Sequence, residues 1–401
     1  MSWFNRIEPK HGAGTAILAC GLCAIAFFVG GHGPVLPKGA QSIALELDQT
    51  FAEPFGYVGG ARELSDGRVL IADPLGEIVA IVDLVSGTAD TLGRVGAGPR
   101  DYRHPDALHA LTADSTLLVD LGNARFIVVG PGGEFGETLS MTQIGEGGGL
   151  TIILPRFVDG AGRLYYEPEH FSAGNSADSA VILRFDRTGS SIDTLGAVGL
   201  ARPERRQASG GVMLSRGALL PRDDWAVGAD GRIAVVRSAD YSIEWRDANG
   251  EFVRGPATEY PTVRVGLAEK ESWLEEFFNE KVSVRTQRTA DGRRSMQMSR
   301  GTSGGSRPDV EAFEWPNMMP PFRAGRTIVS PDGSVWVERY VSANDPPIID
   351  VFDARGQKVT EIELPLGRRV VSFGASHVYL VRQDELDLQW LERYRVVGTG
   401  K

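Results

Sequence analysis

Residues 92–108 read LGRVGAGPRDYRHPDAL, with glycines at 93, 96 and 98. Glycines this close together let backbone N–H groups approach a ligand, so the first chemistry to weigh is a phosphate cradle. That chemistry needs a helix to begin directly after the loop, and a Lys followed by Ser or Thr where the ligand is a nucleoside triphosphate. Pro105 and a new strand-like stretch follow instead, so the segment reads as a connector. Within it Arg100, Arg103 and His104 form a basic group able to meet a partner or line a channel mouth; the plainer reading of His104 is a satisfied loop histidine.

The other histidines past residue 40 are His109, His170 and His377, and none stands at His-x-His or His-Glu-x-x-His spacing, so a zinc site is not expected. No Ser-His-Asp order is discernible. Both cysteines, Cys20 and Cys23, fall in an apolar run, which leaves the remaining chain without a disulfide, a thiolate nucleophile or a Cys-based metal site. Farther along, Lys281, Arg285, Arg288, Arg293, Arg294, Arg300 and Arg307 against Asp291 make a local charge of +6. Such a cluster attracts anionic lipid headgroups or an acidic partner, or is simply a solvated loop.

That local charge is set against an acidic whole. The formal net charge is −10, and because residues 1–40 carry Arg6, Lys10 and Lys38 against Glu8, residues 41–401 carry −12. An acidic body disfavours nucleic-acid binding, which depends on neutralising phosphates. The run Ala13–Gly31 holds about 19 residues without a charge, nearly enough for a helix to span a ~30 Å hydrocarbon layer. Arg6 and Lys10 precede it, which puts residues 1–12 in the cytoplasm and the body across the inner membrane, on the periplasmic side. A cleaved signal peptide and a lipoprotein signal ending at Cys20 remain open, but the site after Ala40 has Lys38 where a small residue is wanted, and the run continues past Cys20. The expectation is a single-pass anchor at 13–31, a linker at 32–41 and one domain at 42–398.

The elements of that domain announce themselves by repetition. DTLGRVGAG at 90–98 returns as DTLGAVGLA at 193–201, and a wider unit of turn, strand, link, strand and turn starts at Ser65, Ala113, Asp159, Ala229, Pro331 and Gly374. Fifty glycines in 401 residues, well above the usual ~7%, fit a chain that turns often. Alternating strands joined by Asp-Gly, Gly-Gly and Asn-Gly turns, repeated every 40 to 50 residues or so, describe the blades of a β-propeller. SIALELDQTF (42–51) has no partner of its own and is expected to close the ring as the outer strand of the last unit.

The starts of units four and five lie about 102 residues apart, and the excess, about 262–312, contains LAEKESWLEEFFNEKV (267–282). There Leu267, Leu274, Phe277, Phe278 and Val282 share one helical face. Trp273, Phe277 and Phe278 are expected to pack this helix on the propeller face, the alternative being a groove for a partner. The polar stretch after it reads as a structureless loop.

These segments carry a family resemblance. LLVDLGNARFIVVGPGGEF (117–135) resembles an NHL-type blade through Asp120, Asn123 and Arg125 in the pattern Asp-x-Gly-Asn-x-Arg. The connector at 92–108 is similar to that of bacterial six-bladed NHL-like or TolB-like propeller proteins, matching at Gly93, Gly96, Gly98, Pro99 and Pro105 and departing at Arg100, Asp101 and Tyr102. WPNMMPPFRAGRTIVSPDGSVWVERY (315–340) also resembles them, so the likeness covers residues 42–397.

The repeats and the resemblance imply an all-β six-bladed propeller with one helical insertion between blades 4 and 5, preceded by the N-terminal transmembrane helix read from residues 13–31. Lactonase-like propellers of this kind hold a calcium ion in the channel, and Asp73, Asp120, Asn123 and Asp240 stand where such ligands would sit; carboxylates capping turns are the simpler account. The expected function is a non-catalytic binding module or accessory subunit of a membrane complex, without a cofactor and with a protein partner. Arg100, Arg103, His104, Trp273, Phe277, Arg293 and Arg294 are its candidate contacts. The alternative is a calcium-dependent lactonase-like hydrolase or lyase working in the channel.

Overall fold

The computed structural model describes residues 42–144, 150–168, 178–187, 191–200, 205–208, 211–214, 218–247, 249–280, 282–288, 294–300 and 309–399. Among them stand six four-stranded antiparallel sheets. Blade 1 runs outward through Gly60–Glu63, Val69–Asp73, Ile78–Asp83 and Thr88–Thr91, and blade 2 through Pro105–Ala110, Thr116–Asp120, Arg125–Val129 and Phe135–Ser140. Blade 3 is Phe157–Val158, Leu164–Tyr166, Ser179–Asp186 and Ser191–Gly199; blade 4 is Asp224–Val227, Ile233–Arg237, Ser242–Arg246 and Phe252–Arg254. Blade 5 is Ile328–Val329, Val335–Arg339, Ile348–Phe352 and Lys358–Glu363.

Blade 6 closes the circle: Arg368–Phe373, His377–Gln383 and Gln389–Thr399 are completed by Ser42–Thr50, as the sequence predicts. The register runs from Ser42 opposite Thr399 to Thr50 opposite Glu392, with an irregularity between Leu47 and Gln49.

Six apolar clusters, one between each pair of neighbouring blades, explain why the second strands read as nearly continuous apolar runs. Consecutive residues face opposite neighbours: Leu118 joins the cluster with blade 1 while Val119 joins that with blade 3, and Val235 and Val236 divide in the same way between blades 3 and 5. Trp336 and Val337 repeat this between blades 6 and 4, and Val69 and Ile71 meet Tyr379 and Leu391 across the seam of blades 1 and 6. The turn into the second strand uses glycine at positive φ in blades 1, 3, 4 and 5, where Gly67, Gly162, Gly231 and Gly333 donate to Leu64, Asp159, Gly228 and Ser330.

The insertion between blades 4 and 5 departs from expectation in two ways. Its helix, α1, spans Leu267–Glu280, but the stretch read as a structureless loop holds a hairpin, Val282–Arg288 with Arg294–Arg300. Strand pairing overrides a composition poor in large apolar residues, and Val282 belongs to a strand, not to the helix face. Leu267 is also off that face, being 61% exposed. The expected anchor at 13–31 and the linker lie outside the described residues; among those described, no helix is long and apolar enough to cross a membrane.

Candidate functional site

The connector at 92–104 is confirmed as structural, and the NHL-like motif is what fastens it. Asp120 accepts the Arg103 backbone N–H at 2.8 Å through Oδ1, while its Oδ2 accepts Asn123 Nδ2 and Arg125 Nε, each at 2.8 Å. Asn123 and Arg125 then donate to the carbonyls of Gly96, Gly98 and Asp101 at 2.9, 2.8 and 2.7 Å. Asp101 turns back to accept Gly98 N–H at 2.9 Å, so Gly96 and Gly98 leave room for its carboxylate, not for a phosphate. The Arg94 side chain and the Gly98 N–H hold the Asp101 carboxyl below its ordinary range.

The other carboxylates singled out from the sequence are engaged in the same local way. Asp73 accepts the backbone N–H groups of Gly56, Tyr57, Leu75 and Gly76, between 2.7 and 3.0 Å. Asp240 accepts Ser242 Oγ and Arg254 Nη2, each at 2.8 Å; burial acts to raise its pKa, but these donors hold it below the usual value. Asp73, Asp120, Asn123 and Asp240 therefore serve three separate blades and are not brought together. Among the described residues no three His, Cys, Asp or Glu side chains form a metal-binding group. The donors present do not fit a calcium ion at these four positions.

His104 has φ of 52° and its Nδ1 lies 3.4 Å from the Pro74 carbonyl, Arg100 is exposed, and the two cavities described below are not lined by Arg100, Arg103 or His104. His170 and Arg293, and the side chain of Arg294, lie outside the described residues. Ser376, His377 and Glu63 form a grouping of triad types, but both partners approach the same ring nitrogen, Nδ1, at 3.1 and 3.8 Å, so no proton can be relayed through the ring.

His109, on the inner strand of blade 2, is half-buried with its Nε2 sealed from solvent and without a partner among the described residues, and burial pushes its pKa down to about 4, against the nearby Asp106 charge and a hydrogen bond with Pro155. A histidine depressed below its unfolded value of 6.5 is neutral in the native ring. Stability is then complete above pH 6.5 and is lost as pH falls from about 6.5 to about 4, by about 3 kcal/mol. Urea unfolding between pH 7 and 4 is expected to lose this slope in His109→Phe relative to wild type; equal slopes would refute the assignment.

The chemistry-bearing concavity is elsewhere. A cavity of about 450 Å³ lies where outer strands hand over to inner strands, between α1 and blades 5, 6 and 1. Its wall includes Arg323 and Arg326, which precede the inner strand of blade 5, Glu338 on the second strand, Arg368 and Arg369 on the inner strand of blade 6, and Glu275 and Glu276 on α1. Arg323 is the hub. It pairs with Glu276, lies 3.1 Å from Glu338 through Nε, and stacks 4.7 Å from the Tyr340 ring centre. Arg326 Nη2 stands 3.8 Å from the same Glu276 carboxylate. Burial alone would lower the Arg323 pKa, but Glu276 and Glu338 hold it above normal, and burial pushes the Tyr340 phenol up.

On the far wall Arg369 donates to the Val58 carbonyl at 2.8 Å and Gln389 Oε1 at 3.1 Å, and Arg368 reaches Glu392. A second cavity of about 350 Å³, lined by Arg156, Glu167, Arg222 and Trp225, lies across the strip Arg323–Arg326, with Ala324 and Gly325 on its side. Sequence reading missed Glu276, Arg323, Arg326 and Glu338. The usable signal was two arginines three apart immediately before an inner strand, facing acids on the inserted helix.

Among the described residues, the contacts seen for Trp273 and Phe277 are with the insertion and its neighbours and not with the propeller face that was expected. With Leu274 they cluster with Phe313, Trp315, Val310 and Ala218, which belong to the insertion and to the segment leading into blade 4.

No family model and no curated protein sequence matches the chain. Among solved structures it is similar to the calcium-binding protein regucalcin from Agrobacterium tumefaciens, with 12% identity, 89% of this chain and 97% of that one covered, and a TM-score of 0.39. A gluconolactonase from Xanthomonas campestris is similar at 11% identity over 90% of this chain and 100% of that one, TM-score 0.42. Virginiamycin B lyase from Staphylococcus aureus is similar at 10% identity over 89% and 100%, TM-score 0.35. Two of these names are those of a lactonase and a lyase, which stand with the enzymatic alternative and not with the non-catalytic platform expected from the sequence.

Proposed function

We propose that the protein is a hydrolase or lyase acting on a small molecule held at the mouth of the ring, in the cavity beneath α1. The observation that carries this is the cavity of about 450 Å³ with two guanidinium groups, Arg323 and Arg326, fixed on its wall by carboxylates. Its size falls within the range of small-molecule sites. Arginines already held in place need no reorientation when negative charge develops on a carbonyl oxygen, whether in the tetrahedral oxyanion of a lactone or in the enolate of an elimination. Lactonase and lyase are also the activities in the names of two similar propellers. Calcium at Asp73, Asp120, Asn123 and Asp240 is no part of this reading, because those side chains are engaged by their own loops.

Ring opening across a panel of lactones, followed with a pH indicator, and turnover of virginiamycin B, followed by absorbance, test the proposal. Turnover is expected in wild type and to fall by about 10²-fold in Arg323→Gln, with Arg326→Gln as a second variant whose fold is checked by circular dichroism. Folded wild type inert toward every compound, or unchanged kcat/KM in both variants, would sink it. The anchor at 13–31 and the periplasmic placement belong to the same proposal; proteolysis of the ring from outside intact spheroplasts supports them, and full protection opposes them.

A further inference from the structure

The seating of α1 is unusual for a helix that roofs a cavity. Its apolar residues Trp273, Leu274 and Phe277 are covered by Phe313, Trp315 and Ala218. The contacts described between α1 and the ring are polar. Glu276 reaches Arg323 and Arg326, and Glu269 accepts the Ala343 N–H at 3.2 Å while its other oxygen accepts the Gly266 N–H at the start of the helix. The roof is thus tied down by two carboxylates, one of which sits on both arginines of the wall.

The two partners are unequal. The Arg323 side chain is 15% exposed, is stacked on Tyr340, and has a second carboxylate, Glu338, on the ring itself; Glu276 is 38% exposed and comes from the insertion. The cations are fixed and the anion is the exchangeable member. Were Glu276 to leave, Glu338 would still compensate Arg323, so exchange does not strand a buried charge. Two guanidinium groups converging on one carboxylate form a receptor matched to that group's geometry.

Resting on the reading of this cavity as a substrate site, we propose that its ligand carries a carboxylate and that Glu276 is an intramolecular stand-in for it. The ligand's carboxylate replaces Glu276 on Arg323 Nη1 and Arg326 Nη2, which leaves the developing oxyanion to other N–H groups of the two forks, and α1 is released as the ligand enters. The helix is then a gate biased by differential binding: the ligand prefers the state in which Glu276 is displaced. An internal competitor reduces apparent affinity by the fraction of time it occupies the arginines. For a partly exposed ion pair, removing it restores up to about fivefold.

Calorimetry on the full chain with glutarate and its neutral diamide, with hydrogen exchange of residues 267–280 measured in parallel, tests this. Wild type is expected to bind glutarate and not the diamide, with faster exchange in α1 when glutarate is present. Glu276→Gln is expected to bind glutarate about fivefold more tightly, and Arg326→Gln to lose the preference for the acid. Equal or weaker glutarate binding by Glu276→Gln, equal binding of the diamide, or no glutarate binding by either protein overturns the inference. Lactone turnover without carboxylate preference overturns it and leaves the enzymatic reading standing; carboxylate binding with no turnover of any compound does the reverse.

Discussion

A chain that begins after Thr50 is expected to lose about 3–6 kcal/mol of stability relative to one that begins at Ser42, enough to abolish a cooperative urea transition in a marginally stable ring. The strand Ser42–Thr50 is the outer wall of blade 6, and Ile43 and Leu45 carry its apolar side into the cluster formed by Trp336, Val351 and Leu380. Burying two such side chains contributes about 1.5–3 kcal/mol each. Asp48 adds an ion pair with Arg393 at 2.6 Å, and the strand covers the 11-residue edge of Gln389–Thr399. Without it that edge is a template for pairing with another chain, so light scattering should rise together with the loss of cooperativity. Superimposable unfolding curves for the two chains would mean that the seam is not what holds the ring.

Asp350→Ala is expected to cost about 3–5 kcal/mol, the second-largest effect, because it breaks a buried network by removing its only fully enclosed anion. Asp350 is 0% exposed on the third strand of blade 5. It accepts Tyr241 OH from blade 4 at 2.6 Å and pairs with Arg339 at 3.3 Å and Lys358 at 2.7 Å. Arg339, itself 5% exposed, would keep only Glu361 at 3.4 Å, and the Tyr241 hydroxyl would lose its acceptor amid Phe322, Phe352 and Tyr260. Asp350→Asn retains an acceptor for Tyr241 and should fall between wild type and alanine in urea unfolding. An alanine variant within 1 kcal/mol of wild type would show the network to be idle.

The ring was legible in the sequence because its second and third strands are long, apolar and fenced by Asp-Gly turns, as in SDGRVLIAD and PDGSVWVER. The inner strands were not. Gly60–Glu63 reads GARE and Phe157–Val158 is two residues long, so neither has a period to detect. Gly59 and Gly60 are there because a Cβ would come 2.5–2.6 Å from the backbone of Asp106 and Leu108, a packing fact with no local signature. The hairpin after α1 escaped because its arginines, serines and glutamines resemble a solvated loop.

The site was hidden for a different reason. Asp73, Asp120 and Asp240 look like ligands by residue type, yet each is consumed by its own turn or blade. Arg323, Arg326 and Glu276 come from segments about 50 residues apart that only the folded insertion brings together.

The central claim is that chemistry occurs in the cavity beneath α1, and plugging that cavity tests it most directly. Ser272 lines it from the helix, whereas Ser86 lies in an exposed turn of blade 1. Each is replaced by cysteine in a chain beginning at residue 42, which lacks Cys20 and Cys23, and is labelled with a bulky maleimide. Initial rates are then measured on a lactone that wild type opens. The account predicts that labelling Ser272→Cys lowers turnover at least about tenfold, while labelled Ser86→Cys keeps the unlabelled rate. Equal rates for the two labelled proteins, or no lactone opened by the unmodified protein, would contradict it.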